Sequence, residues 1–111
     1  MSARPKVTRG SGNVFADLRV ANPGDEDTKM DLAVAINDAI ESRSIRQAEA
    51  AAIIGATQPQ VSALANYKLD GFSIGRLVDF LAALGRDVEI GYRPTKDGAR
   101  GRIRVRPLRA A

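Results

Sequence analysis

The chain contains no cysteine and no histidine, and only 5% of its residues are aromatic. Without cysteine no disulfide framework is possible. Without histidine the commonest general base and the commonest metal ligand are both missing. The scarcity of rings means that the core must be assembled from Ala, Leu, Ile and Val, which suits closely packed small helices. No apolar run approaches the length that spans a bilayer, and none follows the basic N-terminus; the chain is therefore expected to be soluble and cytoplasmic. Its 111 residues are enough for one domain with a core that folds unaided.

Catalysis is not indicated either. Gly98-Ala99-Arg100-Gly101 has no phosphate-loop pattern, and the acidic residues between 25 and 85 show no metal-ligand spacing beyond what solvated helix faces produce. The chain is read as no enzyme, with no cofactor, no metal and no small-molecule substrate.

The formal charge of +4 is unevenly spread. Residues 1–24 are net +3, residues 25–85 carry five basic against nine acidic groups, net −4, and residues 86–111 are net +5. An acidic centre thus lies between two basic ends. Attraction to phosphate is expected to come from those ends more than from the centre.

Residues 1–12 hold glycine, proline, serine and basic residues without an apolar period, and read as a basic arm. Residues 13–86 read as one helical domain, and residues 87–111 as a C-terminal strand or hairpin with a basic tail. Within the domain, residues 13–18 form a small apolar patch and residues 22–25 a turn. A first helix is expected from about Thr28 to Ser42, with Leu32, Ile36, Ala39 and Ile40 on its buried stripe, Asp31, Asp38 and Glu41 outward, and Thr28 with Asp31 capping its start. A second helix covers roughly Gln47–Ile54 and a third roughly Gln58–Ala65, the latter opened by the capping box Thr57-x-x-Gln60 with Pro59 in the first turn. Ser73 opens a fourth helix with Ile74, Leu77, Leu81 and Leu84 on one face, Phe72 stapled on Leu77, and Gly85 as its stop. Beyond Gly85 the apolar period changes to two, at Val88, Ile90 and Tyr92 and again at Ile103 and Val105, with a turn over residues 94–98. An isolated hairpin of this kind is marginal in water and needs a partner surface. The fold class expected is mainly α: a repressor-like domain of four to five helices with a short C-terminal β element.

Residues 46–66 carry the functional signal. Two short helices joined by Gly55 form the layout of a DNA-reading helix-turn-helix: Ala51 is small enough for a close crossing, Gly55 tolerates the positive φ of the link, and Val61 and Leu64 anchor the second helix. Gln58, Gln60, Ser62 and Ala63 are then left to enter a major groove, where glutamine can bond the edge of adenine in a bidentate pair. Gln47, Asn66, Tyr67 and Lys68 stand where backbone phosphates pass. Without DNA the same pair is simply an αα-hairpin with a solvated polar face; five agreeing spacing features favour the DNA reading.

This stretch, with residues 69–77 (Leu-Asp-Gly-Phe-Ser-Ile-Gly-Arg-Leu) and 81–90 (Leu-Ala-Ala-Leu-Gly-Arg-Asp-Val-Glu-Ile), resembles the phage-repressor-like (XRE) helix-turn-helix family. More narrowly, with Asn-Val-Phe-Ala-Asp-Leu at 13–18, residues 13–93 look like the HigA-like antitoxins of bacterial type II toxin–antitoxin pairs. The resemblance implies a homodimer that represses transcription at a double-stranded DNA operator, often its own promoter. It also implies binding and neutralisation of a RelE/HigB-like mRNA-cleaving toxin. By motif position it makes Gln58 and Gln60 base readers, Ser62 a base or phosphate contact, and Gln47, Asn66 and Lys68 phosphate contacts. Arg46 departs from the pattern, standing where the family usually has a capping Thr or Ser; a cation there opposes the helix dipole, and Arg46 reads as a further phosphate ligand. The arginines beyond Arg93 lie outside the motif. A stand-alone regulator without a toxin, and a module that binds only proteins, remain as alternatives to the antitoxin reading.

Overall fold

The computed structural model describes residues 25–108. The basic arm, the apolar patch at 13–18, the turn at 22–24 and Arg109 lie outside the described residues. Four helices follow in order: α1 (Asp25–Arg43), α2 (Gln47–Ile54), α3 (Gln58–Ala65) and α4 (Ile74–Ala83). No helix of the described residues is long and apolar enough to cross a membrane.

The core is made of aliphatic side chains, as the shortage of rings requires. Leu32, Ala33, Ile36 and Ala39 of α1 are fully buried, and they meet Ala50, Ala51 and Ile54 of α2, Val61 and Leu64 of α3, and Ile74, Leu77, Phe80 and Leu81 of α4. Ile40, expected on the buried stripe, is only partly covered. Phe72 does leave solvent ahead of α4, and its ring meets that of Phe80 edge to face, with centroids 5.9 Å apart.

α1 begins at Asp25, three residues before the expected start. Asp25, Glu26 and Asp27 fill its first turn, where carboxylates favour the positive end of the helix dipole. Thr28 therefore lies inside the helix and is no cap. It is buried, and its hydroxyl donates to the Ile103 carbonyl at 2.7 Å.

The other helix ends follow local chemistry. The Ser73 hydroxyl accepts from the Arg76 N–H at 3.1 Å. α4 ends in a Schellman motif, with the Gly85 N–H on the Ala82 carbonyl, the Arg86 N–H on the Leu81 carbonyl, and Gly85 at φ +92°.

The expected C-terminal hairpin is absent: among the described residues there is no strand ladder. The turn is present, built by the Asp97 carboxylate accepting from the Ala99 N–H at 3.1 Å and by Gly98 at φ +76°. Beyond this turn the chain returns to α1 as a strap without regular secondary structure. Asp31, expected to face solvent, accepts from Arg104 at 2.9 and 3.2 Å and from the Val105 N–H at 3.1 Å. Two α1 side chains, Thr28 and Asp31, thus take the hydrogen bonds that a neighbouring strand would have made, while Val88 and Val105 pack on the core. Of the arginines beyond Arg93, Arg104 is thus paired with Asp31.

The Asp31 contact that holds the strap weakens as pH falls. The Arg104 guanidinium hydrogen-bonded to Asp31 holds its carboxyl below the ordinary 3.8, helped by the Val105 N–H and the charges of Arg104 and Arg106 and opposed by burial. A depressed carboxylate contributes above its unfolded value and loses that contribution as pH falls through the folded one. An NMR titration should accordingly place the Asp31 carboxyl below 3.8, with Val105 amide protection lost over the same range. A midpoint at or above 3.8 would show that the strap is not held there.

Candidate nucleic-acid interface

α2 and α3 are eight residues each, too short to stand alone in water. Their geometry is set by the turn and by what lies beneath. Ala51, buried at the crossing, lets the two backbones approach. Gly55 takes φ +73° and ψ 35°, and the Ala56 N–H closes on the Ala51 carbonyl at 3.0 Å. A Cβ at Gly55 meets nothing within 4 Å, so substitution there is penalised by backbone conformation alone. Gly55→Ala should cost about 1 kcal/mol, seen as a fall of about 4–8 °C in the unfolding midpoint. Unchanged thermal unfolding would mean that the left-handed turn is dispensable.

α3 is seated by Val61 and Leu64, both buried, and by a contact that sequence reasoning missed. The Asn37 Nδ2 of α1 donates to the Leu64 carbonyl at 3.0 Å, satisfying one of the carbonyls that a helix end leaves without an intrahelical partner. The available signal was a lone amide beside the apolar stripe of α1. Arg43 does the same for α4, donating to the Leu84 carbonyl at 3.1 Å.

The start of α3 is held by a full capping box: the Gln60 N–H donates to the Thr57 hydroxyl at 3.2 Å, and the Thr57 N–H donates to Gln60 Oε1 at 3.0 Å. This occupies one of the expected base readers. A bidentate bond to adenine needs both the oxygen and the nitrogen of the amide facing the base, whereas the oxygen of Gln60 is turned back to the Thr57 N–H. Helical spacing separates it further, because Gln58, Ser62 and Asn66 recur at four-residue steps on one side, whereas Gln60 lies on the flank beside Leu64. Gln58 is exposed, Ser62 is half-buried, and the Asn66 Nδ2 donates to the Ser62 carbonyl at 2.9 Å. The structure therefore groups Gln58 with Ser62 and Asn66 and sets Gln60 apart.

At the head of α2, Arg46 is the N-cap residue and is exposed, as are Gln47 and Lys68. Only half a capping box forms, with Glu49 Oε1 accepting from the Arg46 N–H at 3.0 Å. A guanidinium has no acceptor to complete the other half. Arg46 is thus tolerated as a cap because Glu49 supplies the negative charge the first turn favours.

The strap lies elsewhere. At 100° per residue Thr28 falls opposite Asn37 on α1, and Thr28 holds the strap where Asn37 holds α3. The basic strap is therefore docked on a different side of α1 from α3.

A buried two-helix unit, linked by a left-handed glycine and presenting the polar side of its second helix, defines the helix-turn-helix class. Residues 14–93 match the family described as helix-turn-helix domain. A solved structure provisionally named an XRE family transcriptional regulator is similar to this chain with a TM-score of 0.66 and 46% identity, over 78% of this chain and 97% of that one. No curated protein matches the chain. The chain belongs to the helix-turn-helix domain family, in its XRE branch.

Proposed function

We propose that the chain is a cytoplasmic, sequence-specific DNA-binding transcription regulator that reads an operator with α3. The observation that carries this is the polar row of exposed Gln58, half-buried Ser62 and exposed Asn66 along α3 and its C-cap, on the side away from the anchors Val61 and Leu64. Gln58 is the base reader, with Ser62 beside it. Arg46, Gln47, Asn66 and Lys68 hold backbone phosphates, which position the helix without carrying sequence information. The chain acts as a homodimer on half-sites about 34 Å apart. A mobility shift with the DNA upstream of its own gene tests this reading: a salt-sensitive shift that a scrambled duplex does not give supports it, and no shift at low salt rejects it.

Within that reading the chain is the antitoxin of a type II pair, binding a small basic RelE/HigB-like toxin. What favours this is the outer face of α1, where Asp27, Asp38 and Glu41 are exposed together with Met30 and Val34. A stand-alone regulator uses the same DNA mechanism. Coexpression with the adjacent reading frame separates the two, since an antitoxin copurifies with a product that is toxic alone.

A further inference from the structure

Residues 87–93 are left without a partner. They follow the Schellman exit of α4, form no strand, and make no backbone hydrogen bond among the described residues. The later stretch 103–105 differs, because Thr28 and Asp31 of α1 already hold it. Within 87–93 only Val88 packs on the core. Ile90 and Tyr92, at the same parity, are 66% and 99% exposed. Unpaired N–H and C=O groups beside alternating apolar side chains are a template for another strand.

The order of residues says which strand fits. Asp87-Val88-Glu89-Ile90-Gly91-Tyr92-Arg93 complements its own reverse. Its acid at one end meets its base at the other, and its apolar positions meet apolar positions.

Resting on the homodimer proposed above, we infer that two copies of this chain pair through residues 87–93 as an antiparallel two-stranded ribbon centred on Ile90. Asp87 then faces the partner's Arg93 on one side of the ribbon, beside Glu89 and Gly91. Val88 faces the partner's Tyr92 on the other side, and Ile90 faces the partner's Ile90. The two-fold axis passes between the isoleucines, so each flanking pair occurs twice. Pro94 sets the hydrogen-bond phase: it has no N–H to give and stands opposite the partner's Arg86, which requires a non-hydrogen-bonded pair there. The two kinds of pair alternate, so the Ile90 pair four steps away is of the same kind, with its side chains close. A free ribbon is marginal in water. This one is laid along two bodies, because its apolar side includes Val88, and the Tyr92 ring that one copy leaves exposed is received beside the partner's Val88.

The absence of cysteine makes the register directly measurable. Ile90→Cys should give an interchain disulfide under mild oxidation, since facing residues of such a pair have Cβ atoms about 5 Å apart. Tyr92→Cys should not, because pairing about Ile90 leaves the two copies of position 92 about 14 Å apart along the ribbon, beyond the disulfide reach of about 7 Å. Arg93→Asp places two acids opposite each other twice and should raise the dimer dissociation constant about tenfold in sedimentation equilibrium; adding Asp87→Arg should restore it. All four positions are exposed in the single chain, so each variant folds, as circular dichroism would verify. A dimeric wild type whose Tyr92→Cys variant cross-links while Ile90→Cys does not, or whose dissociation constant Arg93→Asp leaves unmoved, overturns the ribbon and places the homodimer on another surface. A monomeric wild type overturns the homodimer and the ribbon together, so the two failures are told apart.

Discussion

Replacing Leu64 by alanine is expected to lower the unfolding free energy by about 3 kcal/mol, which for a domain of this size moves the thermal midpoint down by about 12–24 °C. Leu64 is fully buried, and α3 is an eight-residue helix with no stability of its own. Only Val61 shares its burial on that helix. The cavity left by the truncation would open between α3 and the body and loosen the Asn37 bond to the Leu64 carbonyl. DNA affinity should fall with stability, because Gln58 is positioned by the same anchor. Circular dichroism at rising temperature checks the first effect and a mobility shift the second. Leu64→Met, which nearly conserves volume, should retain most of both. A midpoint within about 3 °C of wild type in Leu64→Ala, well short of the expected fall, would refute the anchoring role.

The parts of this fold that could be read in the sequence are those whose causes are local. Gly55, Thr57 with Gln60, Ser73 and Gly85 punctuate the chain within a turn of the residues they control, and the end of α2, the start of α3 and both ends of α4 follow from them. The start of α1 was misleading for the same reason. Thr28 and Asp31 have the spacing of a cap, yet their partners, Ile103 and Arg104, are more than seventy residues away. Period-two patterning after Gly85 pointed to a strand or hairpin that does not form, because pattern alone does not name the partner. Here it is two side chains of a helix and not a second strand. The candidate site shows a subtler limit. The spacing around Gln60 supports both a capping box and a base contact. The structure forms the first, with the Thr57 N–H 3.0 Å from Oε1, which turns the amide back toward the cap.

The second large effect is a division between two glutamines two residues apart. Gln58→Ala should reduce affinity for the cognate operator about tenfold or more, the worth of a bidentate glutamine–adenine pair, and leave the thermal midpoint unchanged, since Gln58 is exposed at the first turn of α3. Its affinity for an unrelated duplex should stay at the wild-type level. Gln60→Ala should do the reverse: it removes the acceptor of the Thr57 N–H, costs about 1 kcal/mol of stability, and leaves discrimination between duplexes nearly intact. Gln60→Glu separates the remaining possibility, because glutamate retains the acceptor of the box and favours the helix dipole but has no amide to donate to a base. If Gln60→Glu matches wild type in operator affinity at moderate salt, Gln60 is a cap. If it abolishes discrimination while Gln58→Ala does not, the reading face lies on the other flank of α3, and the row Gln58, Ser62, Asn66 is not the one that enters the groove.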